Sequence, residues 1–106
     1  MVYLVDTIQL PAEHADEYLK IIQSAAVPVM TGAGAKFVAC WATSTELGED
    51  VSIKVIWSFE DHAEWNEIRK NLVLDPQWHE YASRIALLRT GGTRRFYYPA
   101  SFSPLG

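Results

Sequence analysis

Val51, Ile53, Val55, Trp57 and Phe59 alternate with Ser52, Lys54 and Ser58, the two-residue period of a half-buried strand. Ile56 is the only break in that alternation. Asp61 follows, with Glu64 three residues later in capping-box position. This predicts a helix from His62 to about Leu72, with Trp65, Ile68 and Leu72 along one stripe. Asp75-Pro76 repeats the start signal, with Pro at the first helical position. A shorter helix is predicted from Pro76 to about Leu87, carrying Trp78, Tyr81, Ala82 and Ile85.

The same reading extends to both ends. Val2 to Leu10 is predicted as a strand with Val2, Leu4, Ile8 and Leu10 on one side and Tyr3 and Val5 on the other. A one-sided antiparallel sheet would show one polar face, so two partly apolar sides imply that the second is covered as well. Ala12 to Met30 has helical spacing at Ala15, Tyr18, Leu19, Ile22, Ala25, Ala26 and Val29. Pro28 is expected to kink or end that helix, with Gly32 and Gly34 as the stop. Lys36 to Thr43 is a second strand, apolar on both sides, and Ser44 to Asp50 an acidic hairpin loop. Gly91 and Gly92 are expected to break the chain before a final strand from Arg94 to Tyr98.

Strand, helix, strand, strand, helix, strand is the order of the ferredoxin-like unit, an α+β fold with a four-stranded antiparallel sheet. Its helices cover one sheet face, and an apolar open face needs a partner. A homodimer with the sheets packed face to face is therefore expected.

Composition narrows the picture without naming a chemistry. The 106 residues make one domain, 1–106, large enough for a single core. A single cysteine, Cys40, excludes an internal disulfide and reads as a buried, inert thiol in a reducing compartment. The N-terminal stretch lacks a basic region and holds Asp6, so no secretory signal is read there, and no window reaches a membrane span. The expectation is a cytoplasmic protein with no membrane and no nucleic-acid partner, since the sequence pI is near 5.2. Charge is unevenly spread. Residues 1–80 hold all 13 acids against five bases, whereas 81–106 hold four arginines and no acid, so the basic end is expected to lie on the acidic body or a neighbouring subunit.

Few residues offer chemistry. Asp6 falls on the Leu4–Ile8 side of the first strand, where a carboxylate needs a partner or water. It reads either as a salt bridge to an arginine of the final strand or as a general base at the floor of a pocket between sheet and helices. His79 is a candidate acid/base partner against a surface or capping role. His14, His62 and His79 are too widely spaced for a local metal motif, and no metal is expected. Trp41, Trp57, Trp65 and Trp78, from two strands and two helices, are expected to converge, either as solid core or as walls stacking a flat apolar substrate. Tyr18 and Tyr81 would supply hydroxyls to such a pocket. Arg89, Arg94 and Arg95 flank the glycine pair and would clamp a carboxylate or pair between subunits.

Tyr3-Leu4-Val5-Asp6-Thr7, Leu10-Pro11, Asp16-Glu17-Tyr18-Leu19, Val38-Ala39-Cys40-Trp41, Asp75-Pro76-Gln77-Trp78 and Phe102-Ser103-Pro104-Leu105 together resemble the NIPSNAP family over nearly the whole chain. The resemblance implies the dimeric α/β-barrel superfamily, in which two ferredoxin-like subunits join sheets. Branches of that superfamily include cofactor-free monooxygenases, heme-handling enzymes and small-ring isomerases, while NIPSNAP-like proteins bring no defined active site. Two functions follow as expectations. One is a small enzyme without a tightly bound cofactor, acting on a compact apolar or aromatic metabolite by proton transfer or oxygenation, with Asp6 and His79 as acid/base groups. The other is a non-catalytic homodimeric binding or interaction module. Asp6 unpaired in a cavity of at least about 300 Å³ would favour the enzyme, and Asp6 bonded to an arginine in a filled core would remove it.

Overall fold

Four strands, β1 (Val2–Leu10), β2 (Lys36–Ala42), β3 (Val51–Phe59) and β4 (Gly91–Tyr97), form one antiparallel sheet in the order β2-β3-β1-β4. The structure, a computed structural model, describes residues 1–44 and 48–104. Residues 45–47 of the expected acidic loop, and Leu105 of the terminal motif, lie outside the described residues. The strand order and the helices on one face are those of the ferredoxin-like fold.

In register, Leu4, Asp6 and Ile8 of β1 stand opposite Trp57, Val55 and Ile53 of β3, and opposite Phe96, Arg94 and Gly92 of β4. These residues share the helix-covered face, where Leu4 and Ile53 are fully buried. Tyr3, Val5, Ile56, Trp41 and Tyr97 fall on the open face, so Ile56 adds an apolar residue there. Trp41 is 61% exposed and Tyr97 50% exposed. Between them, Lys54 donates to the Thr7 hydroxyl at 3.0 Å and Gln9 to Ser52 at 3.2 Å. The molecule is a slab of 38 × 38 × 19 Å with a radius of gyration of 14.4 Å, against about 13 Å for a compact chain of this length. An uncovered sheet accounts for that flatness.

The first helical run differs from expectation. Pro28 does not end it. A 3-10 turn at Ala12–His14 leads into α1 (Ala15–Ile21), a π segment at Ile22–Ala26 and α2 (Val27–Gly32) without interruption. The wide turn, with the Val27 N–H bonded to the Ile22 carbonyl, immediately precedes Pro28, which then serves as an N-terminal residue of α2.

The two predicted caps form. Asp61 accepts from the Glu64 N–H at 2.8 Å to open α3 (His62–Val73), and Asp75 accepts from the Gln77 N–H at 2.8 Å to open α4 (Pro76–Ala86). The last strand starts three residues earlier than expected, because Gly91 and Gly92 belong to it. A Cβ at Gly92 would stand 2.7 Å from the Thr7 carbonyl oxygen, so glycine there permits close approach of β4 to β1. In β2 a bulge lies between Phe37 and Ala39, and the strand is exposed or half-buried throughout. Cys40 is half-buried rather than buried, and desolvation pushes its thiol up, away from the reactive thiolate.

Candidate functional site

Tyr18, Ile22, Ala26 and Met30 recur at every fourth residue along the first helical run, and all four are buried toward the sheet. On a helix of 3.6 residues per turn such a repeat drifts by about 40° per step. The i→i+5 turn at Ile22–Ala26 winds more widely and resets the drift, so one row stays aligned over about three turns. A cavity of about 360 Å³ lies between this row, α4 and the central strands.

The cavity has an apolar floor and a charged rim. Met30, Val55 and Trp57 are at most 3% exposed, and Ile85 closes the side formed by α4. Trp78 and Tyr81, ring centroids 5.3 Å apart, form the remaining aromatic wall. Arg89 and Arg94, both exposed, mark the open side. Arg89 stands just beyond α4, where its N–H bonds the Ile85 carbonyl at 3.3 Å.

Asp6 lies in this cavity, paired with the final strand. Arg94 Nε donates to Asp6 Oδ1 at 2.7 Å and Nη2 to Oδ2 at 3.2 Å, a two-pronged contact across the β1–β4 register. The same guanidinium lies 5.5 Å over the Trp65 ring. The salt-bridge reading of Asp6 therefore holds, and the space around it is nevertheless unfilled.

Tyr18 is fully buried, and its hydroxyl has no hydrogen-bond partner among the described residues. Burial pushes its pKa up, and Arg89 opposes the shift by its charge and as a potential donor. Arg89 comes near enough for that, yet the pair does not reach ordinary hydrogen-bond geometry. Tyr81 is pushed up further, mainly by burial and then by the neighbouring Tyr18 and Asp6, with Arg89 and Arg94 opposing. Both hydroxyls are held in the protonated, donating form.

Of the residues expected here, the structure brings together Asp6, Tyr18, Trp57, Trp78 and Tyr81. Three others lie elsewhere. His79 is exposed on α4, its Nε2–H donating to the Val73 carbonyl at 2.5 Å, so it closes the end of α3 and is remote from Asp6. Trp41 points to the open sheet face, because the bulge after Phe37 and the pairing with Lys54 fix that side. Trp65 is buried against Phe59 and Phe96, at ring distances of 5.2 and 6.0 Å, and adjoins the site only through Arg94. His14 and His62 contact the Leu88 carbonyl at 3.2 Å and the Phe96 ring at 4.8 Å respectively. Met30, Ile85 and Gly92 were missed as cavity walls. The four-residue repeat ending at Met30 was the signal available.

Among the described residues no group of three His, Cys, Asp or Glu side chains is placed to hold a metal, and no helix is long and apolar enough to cross a membrane. A second depression of about 410 Å³ beside Pro28 and Asn71 offers only one ionisable side chain, Asp75, which caps α4.

Comparison with known proteins agrees with the fold. No functionally curated protein matches the chain. An uncharacterised NIPSNAP domain protein from Burkholderia xenovorans is 28% identical and superposes with a TM-score of 0.83, covering 98% of this chain and 99% of that one. A NIPSNAP family protein of unknown function from Agrobacterium tumefaciens is 24% identical, with a TM-score of 0.84 and coverage of 100% and 94%. SnoaB, a cofactor-independent oxygenase from Streptomyces nogalater, shares the fold at 14% identity, with a TM-score of 0.63 and coverage of 97% and 96%. The family model for NIPSNAP matches residues 3–104, and the chain belongs to the NIPSNAP family.

Proposed function

We propose that this protein is a homodimeric small-molecule-binding protein of the dimeric α/β-barrel type, whose sheet–helix cavity receives a compact apolar or aromatic metabolite. The observation that carries the reading is the cavity itself. About 360 Å³ of space has an apolar, aromatic floor with a few polar groups at one end, the composition of a ligand site rather than of a filled core. Dimerisation through the open sheet face is supported by Tyr3, Val5, Ile56, Trp41 and Tyr97, an apolar strip that a monomer would leave in water.

The enzymatic version of this reading is proton transfer or oxygenation without a cofactor, and the shared fold with SnoaB is compatible with it. Asp6 is then the acid/base group, but its two-pronged pairing with Arg94 favours binding over proton abstraction until a ligand displaces the arginine. His79 has no part in either version.

Two measurements test the proposal. Light scattering is expected to give twice the 12.0 kDa chain mass, and Trp41→Glu, on an exposed site, is expected to yield monomer. A monomeric unsubstituted chain removes the dimer. A fragment screen followed by the Trp57 and Trp78 indole N–H resonances is expected to find cavity binders. A library of small aromatic compounds that moves neither resonance removes the ligand site.

A further inference from the structure

The geometry points to a compact organic monoanion with a flat apolar body as the occupant of the cavity, its anionic oxygens held by the Tyr18 hydroxyl and the Arg89 guanidinium. The inference rests on the reading of this cavity as the ligand site, and it adds the ligand's charge and the two residues that select it.

The first support is a count of donors and acceptors. The Tyr18 hydroxyl is buried without a partner, and a buried O–H needs an acceptor. Its charged neighbour, Arg89, is a donor only and cannot serve as one. Two donors therefore face one space, and an oxygen acceptor entering it would satisfy both.

The second support is charge. Asp6 and Arg94 neutralise each other, whereas Arg89 has no carboxylate within ion-pair distance among the described residues. The cavity thus carries one net positive charge, the complement of a monoanion. The Asp6 carboxylate would repel a second anion placed beside it, so the ligand's charged end belongs on the Arg89 side. Burial keeps the Tyr18 hydroxyl protonated and able to donate.

The third support is shape. Beyond these donors the space runs over Met30, Val55 and Trp57, all at most 3% exposed, with Trp78 beside them. Its volume of about 360 Å³ is at the lower end of ligand pockets, which favours a single small ring or a short branched chain.

Benzoate and benzamide are probes of nearly the same shape that differ in charge. Each is titrated into the full-length protein while the Trp57 and Trp78 indole N–H resonances are followed. Benzoate is expected to move both resonances and to bind at least about tenfold more tightly than benzamide. Arg89→Gln changes an exposed residue, and Tyr18→Phe removes only a hydroxyl. Arg89→Gln is expected to remove most of the advantage of benzoate over benzamide, and Tyr18→Phe, which removes an uncharged donor, to weaken benzoate severalfold and benzamide less. Equal binding of the two compounds overturns the anion preference while leaving the cavity as a ligand site. Tight benzoate binding that survives both substitutions overturns the assignment of Tyr18 and Arg89. Absence of any shift with either compound overturns the inference, and the broader screen then decides whether the ligand site falls with it.

Discussion

Arg94→Met is the most informative substitution in this protein, because one guanidinium holds two groups of different character. It makes hydrogen bonds of 2.7 and 3.2 Å to Asp6 and lies 5.5 Å over Trp65. The Asp6 side chain is 21% exposed and that of Arg94 43%, so the pair lies between a surface and a buried salt bridge. Exposed pairs contribute at most about 1 kcal/mol, and breaking a buried one costs about 3–5 kcal/mol. For this half-screened site about 1–2 kcal/mol is appropriate, to which the cation–π contact adds about 0.5–1 kcal/mol. Arg94→Met is therefore expected to cost about 1.5–3 kcal/mol. Asp6→Asn should cost only about 1 kcal/mol, since it leaves the arginine over Trp65 and the more exposed partner can still reach water. A coupling of about 1–2 kcal/mol is expected between the two sites, so the double variant should be less destabilised than the sum of the single ones.

The assay is urea unfolding at neutral pH of the unsubstituted protein, both single variants and the double variant, all at one protein concentration because dimer formation would shift every midpoint. A coupling below about 0.3 kcal/mol would mean that the contact contributes nothing beyond its separate parts. An Asp6→Asn variant less stable than Arg94→Met would refute the ranking by exposure.

Two further perturbations test other parts of the same strands and cavity. Gly92→Ala would place a Cβ 2.7 Å from the Thr7 carbonyl and 3.6 Å from the Ile8 Cα, and is expected to destabilise by about 1–2 kcal/mol after the usual gain from restricting the unfolded chain. Gly91→Ala, with nothing within 4 Å, should be neutral or slightly stabilising by the same unfolding measurement, and equal effects at the two glycines would remove the close-approach explanation. Tyr18 and Tyr81 both have folded pKa values raised above the unfolded value near 10.0. Their contribution to stability is thus complete below about pH 10 and lost as pH rises through the folded values. Absorbance of the phenolate during alkaline titration should show late-ionising tyrosines, whose late phases disappear in Tyr18→Phe and Tyr81→Phe.

The architecture was legible because each element carries its own local signal. Alternation at Val51–Phe59 and the caps at Asp61 and Asp75 are nearest-neighbour effects, and they survive folding unchanged. The failures came where distant parts decide. Pro28 has the chemistry of a stop, but the preceding wide turn accommodates it, and nothing local to residues 22–26 announces that turn. Gly91-Gly92 has the composition of a break, yet the approach of Thr7 draws both glycines into β4. Trp41 was grouped with the other tryptophans by residue type, whereas one bulged residue upstream contributes to setting its side of the sheet. For His79 an acid/base and a surface or capping role were both open, and the second is the one found, because the turn between α3 and α4 brings its ring to the Val73 carbonyl. Arg94 was recognisable as a partner for Asp6 because both fall in strands, but the unfilled space beside the pair depends on how three helices sit on the sheet.

β1 explains why these decisions are linked. It is central in the sheet, paired with β3 on one side and β4 on the other, and its period of two sends Leu4, Asp6 and Ile8 toward the helices and Tyr3 and Val5 toward the open face. The same nine residues therefore serve the cavity and the proposed dimer surface, with Asp6 adjoining Val5 along the backbone. A slip of one residue would turn the Asp6 carboxylate onto the open face and Val5 into the cavity, destroying both surfaces at once. The two-pronged bond from Arg94, the close contact at Gly92 and the pairing with Trp57 and Val55 all oppose that slip from different neighbours. Asp6 thus has a structural role that needs no chemistry, and a catalytic role would have to be compatible with it: a ligand that recruited Arg94 would loosen the contact that holds β4 in register. Arg89, outside the sheet and without a carboxylate partner among the described residues, is free of that constraint, which makes its side of the cavity the one where an anion can bind without disturbing the fold.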